Sequence, residues 1–295
     1  MEHYYIENPE LIIKDDRDWH DISEFDFDII EEIPTAKCLP NSGERRKKRF
    51  KKPIDMVNAV GAFDLENSKI PNTTQGVAYI FMFALLMVAT GDLYFFGFRT
   101  YECLCSFFDN LARALGLRVL NIWDFNFSYE WHYLIGAFDF TNNKGETEVF
   151  FKDATHPLCA YSHNGAIYWR DAQALFGPGK LKDHTVGLPH AKLDGELDYT
   201  KKRFYFTEIE GRLGEQDEIG YCINDVFSIC ERIVYKEMPD RHQSINGIPL
   251  TFTGYIRKTV ARILRPYSDK GKPYVWHEAY PEALTKPFEE DEENG

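Results

Sequence analysis

An unbroken apolar run, "VAYIFMFALLMVA" at residues 77–89, is the feature that most constrains the fold of this chain. The run is too short to cross a bilayer, which needs about 20 apolar residues, and the polar turn "TGD" follows it. An apolar run bounded in this way predicts a fully buried strand. "MVNAVGAFDLE" before it and "LYFFGFR" after it predict two more strands, so we expect a three-stranded meander over residues 56–98.

The segments after the meander alternate between helical and strand patterns. "TYECLCSFFDNLARALG" and "DEIGYCINDVFSICERIVYKEM" have apolar residues at helical spacing, whereas "RVLNIWDFNF", "VFFKD" and "AIYWRD" predict strands, and "SYEWHYLIGAF" predicts a short helix. A meander, a helix, a fourth strand and then helices is the order of a ribonuclease-H-like domain. We therefore predict an α/β fold: a ribonuclease-H-like mixed β-sheet flanked by helices, with an N-terminal arm and a C-terminal extension.

The charge of the chain is concentrated in three segments. The net charge is −13, but residues 2–32 carry −10, the cluster "RRKKRFKK" at 45–52 carries +7, and the tail "FEEDEENG" carries −5. The body is therefore close to −5, and the overall charge does not exclude a body that binds DNA. The basic cluster has two interpretations: contact with a phosphate backbone, or contact with the acidic segments.

Several carboxylates lie where predicted elements end or along the edge of an apolar stripe. Asp64 and Glu66 are two residues apart in the first strand, so their side chains share one face. Tyr221 and Asp225 are four residues apart on the last strong helix and also share a face. Glu130 follows the fourth strand. An acid beside a buried stripe is costly unless it is paired or binds a metal ion.

Phosphodiester hydrolysis by two metal ions is the chemistry that needs such a set. Mg²⁺ and Mn²⁺ take carboxylate oxygens and bridge to substrate phosphate. Two ions about 4 Å apart stabilise the attacking and leaving oxygens of an in-line displacement. The sequence alone leaves two other readings open, an exposed acidic pair on an edge strand and a hydrogen-bonded Tyr–Asp pair on a helix surface.

"FDLE", "NFSYE" and "YCIND", in that order, resemble the three exonuclease motifs of family B DNA polymerases, in particular the protein-primed polymerases of phages and linear plasmids. "WRDAQALFG", "DGELDYTKKR" and "GIPLTFTGYIRK" are similar to segments that lie between and after those motifs. The resemblance covers roughly residues 57–260. It implies a 3′–5′ DNA exonuclease of the proofreading type, in the DEDD superfamily, that acts on single-stranded 3′ ends.

The resemblance also implies a role for each matched residue. The metal ligands would be Asp64, Glu66 and Asp225, for two Mg²⁺ or Mn²⁺ ions, with Glu130 completing the catalytic site. Tyr221 would hold the nucleophilic water. Four residues would bind DNA. Asn126 and Tyr129 would contact the 3′-terminal nucleotides, and Tyr199 and Lys201 would lie near the scissile phosphate.

The chain departs from the family pattern at several positions. Glu130 stands where the second motif has Asp, Asn67 where Thr is common, and Phe125 where His often precedes the Asn. Lys192 lies two residues farther from the "DGELDYTKKR" segment than the family lysine. No segment resembles the polymerase motifs. We therefore expect a separate subunit or an excised domain of a polymerase.

Three domains are predicted: an arm at 1–53, the exonuclease domain at 54–238, and a helical extension with an acidic tail at 239–295. We expect the arm and the tail to lie outside the nuclease core, and one of them to dock a polymerase subunit or another replication protein. The lack of a signal peptide or membrane span and the cysteine spacing predict a cytoplasmic protein. The alternatives are a standalone DNA-degrading nuclease and a non-catalytic DNA-binding or scaffold subunit.

Overall fold

The computed structural model of the chain describes residues 1–11, 16–36, 55–69, 76–193, 218–238, 245, 248–254 and 256. The strands in these ranges are β1 (Glu2–Ile6), β2 (Trp19–Asp21), β3 (Met56–Lys69), β4 (Gly76–Met87), β5 (Leu93–Phe98), β6 (Val119–Asp124), β7 (Val149–Phe151), β8 (Pro157–Ser162) and β9 (Ile167–Asp171). The α-helices are α1 (Asp28–Glu32), α2 (Tyr101–Leu115), α3 (Phe127–Leu134), α4 (Ala172–Phe176), α5 (Leu181–Thr185) and α6 (Glu218–Arg232). Short 3₁₀ turns span Pro9–Leu11, Ile22–Glu24 and His163–Gly165, and a π-helical turn spans Ile233–Glu237.

The strands form one mixed sheet in the order β2-β1-β5-β4-β3-β6-β9-β8-β7. β3, β4 and β5 are the predicted antiparallel meander. β6 pairs in parallel with β3, and β9 pairs in parallel with β6. The predicted class, a mixed sheet flanked by helices, is confirmed. The order of the five central strands is compatible with the ribonuclease-H-like arrangement.

The apolar run at 77–89 lies mainly in β4, and across the described ranges no helix is long and apolar enough to cross a membrane.

Each face of the sheet is covered by helices. On β3, Phe63 and Leu65 point into a core shared with α2 and α3, while Val60 and Ala62 point into a second core shared with α6. This alternation follows from the two-residue period of a strand. It also assigns a face to Asp64, because a residue two positions after Ala62 must point toward α6.

Helix α2 begins and ends where its sequence predicts. Thr100 caps the first turn by accepting a hydrogen bond from the backbone N–H of Cys103 at 3.2 Å. Gly116 ends the helix with a φ of 62°, in a region that favours glycine. The predicted stripe is buried in full: Leu104, Phe107, Phe108, Leu111 and Leu115.

The N-terminal arm is part of the sheet, so the prediction that it lies outside the core is wrong for residues 1–11 and 16–36. β1 pairs in parallel with β5, and the aromatic residues of "SEFDFDIIEE" pack on α2 and β5: the ring of Phe25 is 4.8 Å from that of Phe96. The physical reason is that β5 would otherwise expose an unpaired, phenylalanine-rich edge. The basic cluster at 45–52 and the acidic tail lie outside the described residues. The domain bounds and the docking of a partner remain predictions.

Arg118 ties the arm to the body. Its guanidinium donates to the carbonyl oxygens of Ile30, Glu31 and Ile33 at the end of α1, at 2.9–3.1 Å. It also donates to two carbonyls at the end of α2, those of Ala114 and Leu115. One side chain therefore satisfies the last carbonyls of two helices, whose C-terminal dipoles both favour a cation.

Arg118→Met is expected to lower the free energy of unfolding by about 2–3 kcal/mol, because several mostly part-buried carbonyls lose a charged donor together. The corresponding fall in Tm is roughly 5–10 °C, measurable by calorimetry. The control is Arg113→Met, since Arg113 is exposed and, among the described residues, its side chain bonds within its own helix. Equal Tm values for the two variants would show that Arg118 does not hold the arm.

Candidate active site

Three carboxylates meet where β3 passes beneath α6. Asp64 and Glu66 project from β3, and Asp225 projects from α6; one oxygen from each lies within 4.8 Å of the others. The predicted convergence of these three residues is confirmed. Glu66 and Asp225 are 5% and 2% exposed, and Asp64 is half-buried. The cluster is thus largely withdrawn from bulk water.

The packing of α6 on the sheet fixes this geometry. The predicted stripe of α6 is buried against β3 and β4, with Val226 and Cys230 fully buried. The thiol of Cys230 donates to the carbonyl oxygen of Val60 at 3.4 Å. At the other end, β3 has a register irregularity between Glu66 and Asn67. Such a bulge re-aims side chains at the end of a strand.

Burial and mutual repulsion shift the pKa values of the carboxylates in and beside the cluster. Burial raises the pKa of Asp64, although Lys192 opposes the shift. Burial raises the pKa of Asp225 to about 7, and repulsion from Asp64 adds to the rise while Lys192 again opposes it. Burial and then repulsion from two neighbouring carboxylates raise the pKa of Glu130 well above its ordinary value. A positive charge placed here would stabilise the ionised forms.

Lys192 supplies one such charge. Its ammonium group pairs with Asp225 and lies 3.8 Å from the centroid of the Tyr221 ring. The sequence placed this lysine two residues away from the family position. In the structure it nevertheless lies in the pocket with the carboxylates, a result that spacing along the chain does not reveal.

The segment that carries Lys192 is anchored from two sides. The backbone N–H and Nδ1 of His190 bond to the Glu231 carboxylate at 3.0 and 2.8 Å, and Nε2 is 3.3 Å from Glu2 on β1. Burial lowers the pKa of His190, but its hydrogen bond and charge interaction with Glu231, together with Glu2, outweigh burial and the net direction is upward. Asn224 of α6 donates to the carbonyl oxygen of Ala191 at 3.2 Å.

A cavity of about 440 Å³ contains the cluster. Its lining includes every predicted site residue in the described part of the chain, together with four others: Asp64, Leu65, Glu66, Asn67, Phe125, Asn126, Tyr129, Glu130, Lys192, Tyr221 and Asp225. Tyr199 and Lys201 lie outside the described residues, and their roles remain predictions.

The second motif forms the start of α3. Asn126 is the N-cap residue of α3 and has a φ of 77°, a left-handed conformation that asparagine tolerates better than most residues. It therefore turns the chain from β6 into α3 and also lines the cavity. Glu130, in the first turn of α3, is 3% exposed, and its Oε2 has no hydrogen-bond partner among the described residues.

Asp124 is a further buried carboxylate that the sequence analysis did not identify. It is fully buried at the end of β6, and within the described ranges neither of its oxygens has a hydrogen-bond partner. Burial and then repulsion from Asp64 raise its pKa well above the ordinary value. Its position two residues before Asn126, at the end of a buried strand, was the signal that could have found it.

Tyr221 stays a neutral phenol beside the carboxylates. Burial raises its pKa, and the charges of Asp225, Glu66 and Asp64 raise it further. The hydroxyl therefore retains its proton and can donate a hydrogen bond as well as accept one.

The donor set fits a hard cation. Asp64, Glu66 and Asp225 offer only carboxylate oxygens, the ligands that Mg²⁺, Ca²⁺ and Mn²⁺ prefer. The Oδ1 atom of Asp225 is buried and has no hydrogen-bond partner among the described residues. A buried, unpartnered carboxylate oxygen is costly, and a coordinated ion would remove that cost. The cluster could therefore hold a metal ion.

Comparison with known proteins gives a likeness in structure and none in sequence. No protein-family model and no curated protein sequence matches the chain. Among solved structures, phi29 DNA polymerase in complex with primer-template DNA and incoming nucleotide aligns with a TM-score of 0.47 and 12% sequence identity, over 73% of this chain. This chain covers 35% of the length of that polymerase.

Adding Mn²⁺ to metal-free protein is expected to raise Tm by several degrees, because an ion that binds only the folded state stabilises it by about 2.7 kcal/mol at a hundredfold excess over Kd. Asp64→Asn should abolish this increase, yet leave the metal-free Tm equal or higher, since it removes repulsion. Calorimetry with and without EDTA measures both effects. Glu32→Gln, at an exposed acid on α1, is the control. An undiminished Mn²⁺ effect in Asp64→Asn would contradict the site.

Proposed function

We propose that the chain is a metal-dependent 3′–5′ exonuclease that removes nucleotides from the 3′ end of single-stranded DNA. The observation that carries the proposal is the meeting of Asp64, Glu66 and Asp225 within 4.8 Å in one cavity. The order of the three motifs in the sequence, which resembles the proofreading domain of protein-primed family B polymerases, supports it independently.

Each residue has a role that its position supports. Asp64, Glu66 and Asp225 would hold two Mg²⁺ or Mn²⁺ ions, with Glu130 beside Asp64 completing the site. When bound, such ions supply Lewis-acid stabilisation of the phosphodiester and activate water. The neutral hydroxyl of Tyr221 orients the attacking water through a hydrogen bond.

Lys192 is positioned to act on the phosphate. Its ammonium group pairs with Asp225 at the wall of the cavity. A phosphodiester entering the cavity brings its own negative charge, and an ammonium group within reach stabilises the extra charge that develops on the phosphate oxygens. Burial of the pocket strengthens this interaction, because low dielectric weakens screening.

The rim of the cavity suits a single strand. Asn126 and Tyr129 line it, and Tyr129 is 42% exposed, so its ring is accessible to a nucleobase. Stacking on aromatic rings binds single-stranded DNA without sequence preference. Tyr199 and Lys201 would act near the scissile phosphate. A paired 3′ end would have to fray before it entered, which is the basis of proofreading selectivity.

The partner of this activity would be a polymerase or another replication protein. The chain would act as a separate proofreading subunit or as the excised domain of a protein-primed family B DNA polymerase. A standalone nuclease would have the same site and no such partner. A non-catalytic subunit would retain DNA binding and lack hydrolysis, which makes the activity assay decisive between them.

The test is hydrolysis of a 5′-labelled single-stranded DNA of about 20 nucleotides with Mg²⁺ or Mn²⁺. A 3′–5′ exonuclease shortens the strand stepwise from its 3′ end, and the label remains on a ladder of products. A 3′-labelled copy should release labelled mononucleotide first. Internal cuts as the first products, or binding without hydrolysis under any divalent ion, would overturn the proposal.

Asp64→Asn is expected to reduce hydrolysis by roughly 10²–10³-fold or more, because a cation ligand is lost where charge develops. Binding of a single strand should persist or improve, since one negative charge near the phosphate is removed. Rates come from the 5′-label assay, and affinity from fluorescence anisotropy. Glu32→Gln serves again as the neutral control. Near wild-type rates in Asp64→Asn would show that the site is elsewhere.

Glu130→Gln and Glu130→Asp together test the departure in the second motif. If Glu130 holds an ion or its water, Gln should lower hydrolysis by about 10²-fold, whereas Asp keeps a carboxylate that can bind through a water and should retain most activity. The two variants are compared on the same single-stranded substrate. Equal, near wild-type rates in both would remove Glu130 from the site.

A further inference from the structure

Three tyrosines follow one another from the cavity to the start of α2. Tyr129 lines the cavity, and its ring centroid is 5.7 Å from that of Tyr133. The hydroxyl of Tyr101, the first residue of α2, donates to the carbonyl oxygen of Tyr133 at 3.2 Å. The rim therefore runs from the carboxylates, along α3, to the start of α2. We refer to Tyr129, Tyr133 and Tyr101 as the tyrosine rim.

The rings of the tyrosine rim are fixed before any ligand arrives. The Asn67 amide donates to the hydroxyls of both Tyr129 and Tyr133, the latter at 2.9 Å. Tyr101 packs against the buried Phe81, with centroids 4.7 Å apart, and its hydroxyl is held at Tyr133. Rings already held in one orientation lose little side-chain entropy on binding, and so favour a flat, stacked ligand.

Much of the Tyr101 side chain remains exposed to solvent although its ring packs on Phe81: the residue is 43% exposed. A single exposed aromatic residue is ordinary, but this one continues an aromatic path that begins at a candidate active site. The charge around it is mixed: Glu102 is exposed beside it, and Glu7 accepts from the backbone N–H groups of Arg99 and Thr100. The exposed ring face therefore selects the ligand, and it suits a flat, neutral base.

We infer that Tyr101 is a substrate-binding residue that stacks on a base of the single strand upstream of the nucleotides held at Tyr129 and Tyr133. The inference rests on the proposed function and extends it, because it makes binding depend on strand length. Strands that end before Tyr101 gain nothing from it, whereas longer strands gain one stacked base.

The test measures, by fluorescence anisotropy, how tightly the protein binds oligothymidylates that carry 5′-fluorescein. Strands of two, three, four, six and eight nucleotides are compared, with Ca²⁺ as the divalent ion. Wild-type affinity should rise as strands grow beyond three nucleotides. Tyr101→Ala should weaken binding of the eight-nucleotide strand by about tenfold, the effect of losing one stacked base, and leave the two-nucleotide strand unchanged. The salt dependence of binding should stay the same, because a base contact neutralises no phosphate.

Matched variants separate stacking from structure. Tyr101→Phe keeps the ring and loses the hydroxyl, so it should bind like wild type. Tyr101→Leu keeps apolar packing on Phe81 and loses the aromatic face, so it should bind like Tyr101→Ala even if the alanine variant is less stable. Tyr235→Ala, at another tyrosine that is 53% exposed, is the control and should change nothing.

Different results would reject the proposed function and the proposed role of Tyr101. If wild-type protein binds strands with the expected length dependence but does not hydrolyse them, the proposed function fails and the role of Tyr101 stands. If wild-type protein hydrolyses DNA while Tyr101→Leu and Tyr101→Ala bind the eight-nucleotide strand as tightly as wild type, the role of Tyr101 is wrong. If Tyr101→Phe loses as much affinity for the eight-nucleotide strand as Tyr101→Ala, the hydroxyl and not the ring makes the contact, and base stacking is overturned.

Discussion

Negative charge held in a buried position is the constraint on which the rest of this structure depends. Asp64, Glu66 and Asp225 meet in the interior, and Glu130 and Asp124 lie close behind. Folding alone gains nothing from such a cluster, because each carboxylate loses hydration and repels its neighbours. The surrounding fold must therefore be stable enough to hold the cluster in place, and a positive charge must be available to it.

The sheet and α6 meet the first requirement. β3 lies at the centre of the sheet, and α6 packs across it through fully buried apolar residues and the contact between Cys230 and Val60. The N-terminal arm extends the same sheet at β5 and contributes Ile6 and Phe25 to the two cores. Lys192 meets the second requirement from a segment that His190 fastens to α6 and β1. Residues distant in the chain thus support one small volume.

Periodicity along the chain was sufficient to predict β3, β4, β5, α2 and α6, because their apolar residues repeat strongly and each element is long. It failed for β1, whose sequence EHYYI has no apolar run, and for β8, a short strand that begins at Pro157. The carboxylate cluster of Asp64, Glu66 and Asp225 followed from motif order. Lys192 did not, since its proximity to the cluster arises from tertiary packing that no local pattern encodes, whereas Asp124 was marked by its place at the end of β6, two residues before Asn126.

Two of the departures from the motif pattern involve α3: Glu130 lies in its first turn, and Asn67 donates to two of its tyrosines. The other two do not, because Phe125 packs on the rings of Phe176 and His184, and Lys192 pairs with Asp225. The side chain of Asn67 bonds to two tyrosines. A threonine hydroxyl carries one hydrogen that it can donate, whereas the amide carries two and donates to both Tyr129 and Tyr133. The substitution therefore suits a rim built from tyrosines. The carboxylates that could hold a metal ion and the tyrosines beside them are thus joined through β3, which carries Asp64, Glu66 and Asn67.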